Sequence, residues 1–301
     1  FDMPARQAFV VTMVDNKEDL SNAIALNSSM FNSARLIGPA VAGLAIAAVG
    51  AGMCFLIDGV SYIAVIAGFL AMQLPTETQP PERHYGTIWQ EMKTGFDYAF
   101  GFQPIRVLLL LTALTSFVGL PYTTLAPIFA SEILHGGPQT LGFLMATSGL
   151  GALFSAVYLS AKPNARGLTR VIGSATALFG IALIVFAFSS VLWLSLLATL
   201  FLGISLILQR VSGNTILQII VDEDKRGRVM SFYIMSFTGT ATFGNLLAGF
   251  LASKIGAPNT LALGGLGCIV GAFFFIHQLP TMRENIRPIY QRIGLLPQTH
   301  A

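Results

Sequence analysis

The sequence predicts an all-α integral membrane protein, and three observations predict it. Of its 301 residues, 54% are hydrophobic and only 10% charged, whereas soluble domains carry roughly a quarter charged residues. Apolar blocks of about 20 residues recur almost free of Asp, Glu, Lys and Arg, and that length at 1.5 Å per residue crosses a ~30 Å hydrocarbon layer. The basic residues collect in alternate gaps between the blocks. Lipid cannot satisfy a backbone polar group, so blocks of this length and composition must be helices.

Eight spans are expected, at 22–48, 51–73, 105–131, 138–160, 168–190, 191–213, 229–253 and 257–278. Two pairs run almost continuously, and small residues at Gly50–Gly52 and Ser189–Ser190 mark the reversals. Gap by gap, one side holds Arg6 and Lys17; Arg83, Lys93 and Arg106; Lys162, Arg166 and Arg170; Arg210, Lys225, Arg226 and Arg228; and Arg283, Arg287 and Arg292. These are fifteen of the seventeen Lys and Arg residues; Lys254 stands on the other side and Arg35 inside a span. Cytoplasmic loops retain the excess positive charge, so both chain ends are expected in the cytoplasm.

The segments group into a partial bundle over 1–73, a cytoplasmic linker over 74–104, a six-helix bundle over 105–278 and a cytoplasmic tail over 279–301. The linker opens with the Pro- and Thr-rich run 75–82. Thr87 and Gln90 form a capping-box pattern, and Ile88, Met92, Phe96 and Ala99 repeat at helical spacing, which fits either a surface-lying helix or a simple spacer.

Composition also excludes several classes. The net charge of +3 comes from scattered residues with no aromatic-interleaved patch, so no nucleic-acid partner is expected. Cys54 and Cys268 sit singly in apolar blocks, and the four histidines are dispersed, so neither a metal site nor a cofactor is expected. No phosphate-binding loop, His-Glu-x-x-His or Gly-x-Ser-x-Gly occurs, which argues against direct ATP drive and against a membrane-embedded enzyme.

An internal repeat organises the spans. Val14-Asp15, Gly38-Pro39, Ala42-Gly43 and Gly50 match Val221-Asp222, Gly244-Asn245, Ala248-Gly249 and Gly256 about 206 residues later, with one single-residue gap. Two bundles related in this way are usual in transporters. Four spans precede the matched one in the second bundle and none in the first, so the expected parent has twelve spans. About eight are present here: the last two of the first half and all six of the second.

Six plus six spans, a long middle loop and Gly-Pro in the fifth span resemble the major facilitator superfamily. The runs Asp2-Met-Pro-Ala-Arg-Gln-Ala, Asn22-Ala-Ile-Ala-Leu-Asn-Ser, Ala34-Arg-Leu-Ile-Gly38-Pro39-Ala-Val-Ala42-Gly43 and Arg226-Gly-Arg-Val-Met-Ser-Phe-Tyr resemble its enterobactin-exporter-like branch, the transmembrane secretion effectors. Ala34, Gly38, Pro39, Ala42 and Gly43 are similar to that superfamily's antiporter signature, with Ala42 replacing a glycine. The resemblance implies a major-facilitator-type bundle and an exporter of a small amphipathic molecule, siderophore- or macrolide-like, driven by proton antiport with rocking halves. It further implies a bacterial inner-membrane location, with cargo, protons and the lipid bilayer as partners and a monomeric state.

Candidate roles follow from physics. Gly38, Pro39, Ala42 and Gly43 strip bulk from one helix, fitting either ordinary packing or close approach by another helix; the resemblance implies that this partner is span 138–160, which offers Ser148, Gly149, Gly151, Ala152 and Ser155. Ser28, Asn32 and Arg35 share a face, where Arg35 would either meet cargo or pair with an acid such as Asp58. Asp58 is the proton-coupling candidate, with capping or a salt bridge as its other reading. Thr115 and Tyr122 lie in a span that Pro121 and Pro127 should bend; with Gln209, Arg210, Thr238 and Thr242 they complete the cavity candidates. Local back-bonding is the alternative for the hydroxyls. A non-transporting receptor or scaffold of the same fold remains the runner-up to transport.

Overall fold

The computed structural model describes residues 52–68, 88–160 and 167–292, together with a few isolated positions from Val41 to Ala71. Among them there is no strand. An apolar helix, α1 (Gly52–Gly68), is followed by an amphipathic α2 (Ile88–Gly101). Then come six helices long and apolar enough to span a membrane: α3 (Gln103–Ile133), α4 (Pro138–Ser160), α5 (Leu168–Phe188), α6 (Leu192–Ile220), α7 (Lys225–Ile255) and α8 (Ala257–Arg292).

Five of the six spans begin within three residues of where the hydropathy placed them, and α7 four residues earlier. The reversal at Ser189 is real: its amide bonds the Phe186 carbonyl, and its hydroxyl donates to the Val191 carbonyl at 3.0 Å. Gly50 and Gly256 adopt φ of 80° and 85°, the left-handed geometry that lets a chain reverse between helices at no side-chain cost. Two ends differ from expectation. Helix α6 continues from 213 to Ile220 and α8 from 278 to Arg292, because polar residues past the apolar core continue the helix where protein or water faces them. Apart from Val41 and Ala45, the expected span 22–48 lies outside the described residues.

Proline chemistry shapes α3. Pro121 and Pro127 cannot donate to the helical ladder, and the span is broken into α-helical pieces separated by π-helical turns at Thr115–Gly119 and Phe129–Ile133. A third π turn, Met235–Gly239, lies in α7 and touches the first.

Neighbouring helices run in the order α4, α6, α5, α8, α3, α7, with α7 also touching α8. Backbone contact is close wherever glycine allows it. A Cβ on Gly203 of α6 would overlap the Ser148 carbonyl of α4, and one on Gly151 of α4 would overlap the Leu200 carbonyl of α6. Ser155 adds a hydroxyl bond to the Ile204 carbonyl at 2.7 Å. Three members of the small-residue stripe, Ser148, Gly151 and Ser155, are thus engaged with α6.

Helix α2 lies against protein. Gly95 faces the side chains of Phe232 and Arg228, Phe96 stacks on Phe100 at 4.3 Å and meets Phe232 edge-on at 6.2 Å. Tyr98 donates to the Asp222 carboxylate at 3.1 Å, and Lys225 sits 4.6 Å from the Tyr98 ring centroid.

Candidate functional site

Two apolar clusters stack along the bundle. One joins Ile105 to Leu111 of α3 with Ile216 to Ile220 of α6, Leu168 and Ile172 of α5, and the far end of α8; the other joins Tyr122 to Ala130 with Ala198, Leu202, Phe179 to Ala187 and Leu261 to Cys268. Between them lie buried polar side chains: Thr112, Thr115 and Ser116 from α3, Thr176 from α5, and Ser205, Gln209 and Ser212 from α6. A polar layer at mid-helix depth is costly in lipid unless each group is bonded or wet.

The layer is largely bonded. Gln209, 6% exposed, donates through Nε2 to Thr115 Oγ1 at 2.9 Å, and Thr115, 3% exposed, passes its own hydroxyl hydrogen to the Leu111 carbonyl at 2.8 Å. Thr112 and Thr176 back-bond to Leu108 and Ile172, each at 2.8 Å. Tyr122 shares a 3.2 Å hydrogen bond with Ser148 and packs edge-on against Phe179. Ser212 Oγ, fully buried, has no hydrogen-bond partner among the described residues.

Arg210 leaves this layer on the other side of α6. It stands about 15 Å from the helix end at Ile220, at 1.5 Å per residue, and is therefore a residue of the span and not of a loop. Its guanidinium carbon lies 3.2 Å from the Phe237 ring centroid, within the π turn of α7, and its carbonyl accepts the Tyr233 hydroxyl at 2.9 Å. Charge so deep in an apolar helix is held by an aromatic face, a cation–π contact that strengthens as water is removed.

The structure thus brings Thr115 together with Gln209, and Arg210 with α7. Thr238 and Thr242 of α7 are exposed, and Thr242 donates to the Thr238 carbonyl at 3.2 Å. Asp58 is exposed on α1, its carbonyl accepting Ser61 Oγ at 2.7 Å. Ser28, Asn32, Arg35, Ala34, Gly38, Pro39, Ala42 and Gly43 lie outside the described residues. Sequence reading missed Tyr233, Phe237 and Asn214. The available signal was the i, i+4, i+8 spacing of Arg210, Asn214 and Gln218, hidden by ending the sixth span at 213.

Six helices long and apolar enough to span a membrane, with a polar layer buried among them, make the chain a polytopic membrane protein, and its relatives place it among transporters of the major facilitator type. The chain belongs to the transmembrane secretion effector family of that superfamily, whose model matches residues 1–292. It is 25% identical over 279 residues to the staphyloferrin A transporter of Staphylococcus aureus, covering 92% of this chain and 69% of that protein. It is 22% identical to an uncharacterized MFS-type transporter of Bacillus subtilis, covering 84% of this chain and 63% of the relative. In structure it resembles a bacterial homolog of the human lysosomal transporter Spinster, in an inward-facing, unoccupied conformation, with a TM-score of 0.52 at 17% identity. That match covers 91% of this chain and 72% of the other.

Proposed function

We propose that the chain forms part of a secondary active transporter in the bacterial inner membrane, working as a monomer with both ends of the chain in the cytoplasm. It exports a small amphipathic molecule, siderophore- or drug-like, in exchange for protons, by rocking two helical halves about a site near mid-membrane. Family membership together with similarity to a staphyloferrin A transporter is the observation that carries this reading. The polar layer and the braced Arg210 support a site at that depth.

Within the reading, Arg210, Thr238 and Thr242 face the cargo path from α6 and α7, while Thr115, Tyr122 and Gln209 hold its wall in shape. Ser28, Asn32 and Arg35 line the opposite side, and the Ala34–Gly43 signature packs the halves. Asp58 carries the coupled proton.

The test is export from cells or into everted vesicles by the full-length protein, with and without an agent that collapses the proton gradient. Export should stop when the gradient collapses and should fall in Asp58→Asn. Export that persists unchanged removes proton antiport and leaves another driving force.

A further inference from the structure

Helix α6 is apolar over most of its 29 residues, yet its inner third carries Arg210, Asn214 and Gln218 at i, i+4 and i+8. These positions share one helix face. A polar face at that depth is stable only against protein or water, so it borders either the bundle or a wet path.

Two features show that the face is built. First, Arg210 is held at both ends by one neighbour: Tyr233 bonds its backbone carbonyl at 2.9 Å, and Phe237, one turn on along α7, underlies its guanidinium at 3.2 Å. Stacking covers a face of the planar cation and sets its plane, directing the N–H donors of its edge sideways. Second, Asn214 Oδ1 is buried and has no hydrogen-bond partner among the described residues. An amide acceptor in that state takes an O–H or N–H from whatever enters beside it.

A guanidinium offers donors to an anion, and the Asn214 oxygen asks for a donor one helical turn, roughly 5–6 Å, away. A simple carboxylate answers only the first requirement, and a neutral alcohol only the second. We infer that Arg210, braced by Tyr233 and Phe237, and Asn214 form a cargo subsite for a carboxylate bearing a neighbouring hydroxyl or amide donor. This rests on the transport reading and narrows it to a chemical class.

The experiment uses binding, so that it stands apart from export. Full-length protein in lipid nanodiscs is titrated with N-dansyl-serine, with its methyl ester, which lacks the charge, and with N-dansyl-alanine, which lacks the hydroxyl. The wild type should prefer N-dansyl-serine over both. Arg210→Gln should weaken the acid about ten- to a hundredfold and leave the ester unchanged, the loss expected for a charge-assisted bond. Arg210→Lys should keep part of the preference, which guards against simple misfolding in the glutamine variant. Asn214→Leu should erase the serine–alanine difference while retaining the acid–ester difference. Equal binding of acid and ester by the wild type, or equal losses for both in Arg210→Gln, overturns the subsite. Acid-selective binding without export leaves the subsite standing and overturns the export reading.

Discussion

At the scale of single residues the Gln209–Thr115 pair shows how partner loss can be asymmetric. Thr115 already gives its hydroxyl hydrogen to the Leu111 carbonyl and only accepts from Gln209. Gln209→Leu therefore strands nothing on Thr115 and removes one hydrogen bond, whereas Thr115→Val leaves a buried amide donor unanswered. The expected costs are about 0.6 kcal/mol for the first, the average for bonds between membrane helices, and about 2 kcal/mol for the second. Thermal unfolding in detergent checks the order, and Gln209→Leu proving the more damaging change would refute the assignment of donor and acceptor. Both residues were legible in the sequence as polar groups in apolar spans. Their pairing was not, because helical period gives a face and not the partner that occupies it. Arg210 was legible as a cavity candidate, yet its depth was not, since hydropathy falls at Gln209–Arg210 while the backbone continues as helix to Ile220.

At the scale of elements the same limit governs the glycines. Gly151 was readable as one of a small-residue stripe, open either to ordinary packing or to close approach by span 22–48; part of the stripe seats the α6 backbone. What blocks a new Cβ decides the outcome of substitution. At Gly203 it is the Ser148 carbonyl of the facing backbone, which cannot move without separating two helices. At Gly271 it is the Cδ2 end of the Leu114 side chain, which another rotamer relieves. Gly203→Ala should cost about 3 kcal/mol and broaden the size-exclusion profile, while Gly271→Ala should stay within about 1 kcal/mol of wild type. Equal behaviour of the two variants would contradict the close α4–α6 contact. Helix α2 supplies a second case: the spacing of Ile88, Met92, Phe96 and Ala99 allowed a helix or a simple spacer, and its docking on α7 needs Gly95 to leave room for Phe232. Gly95→Leu should raise hydrogen exchange across Ile88–Gly101 and leave α5 unchanged, as a docked helix pushed from its seat would.

At the scale of the whole molecule, apolar side chains face outward: Trp193 is 80% exposed, Phe243 and Phe273 each 68%, and Leu246 69%. Such a surface is stable only in a bilayer or its mimic, and this much was plain from composition. Orientation rests on charge. Helices α3 to α8 alternate in direction, so one end gathers Lys93, Arg106, Arg170, Lys225, Arg226, Arg228, Arg283 and Arg287, while Lys254 stands at the other among the described residues. Moving Arg210 from a loop into α6 weakens the count without changing its sign. The alternation makes the ends exchange roles together, so two positions suffice to decide the orientation. With Cys54 and Cys268 first replaced, a cysteine at Lys254 should react with an impermeant maleimide added to intact cells, and one at Arg226 should react only after permeabilisation. The reverse pattern would place the basic ends outside and turn the proposed exporter into an inverted bundle; labelling of both in intact cells would deny that α7 crosses the membrane.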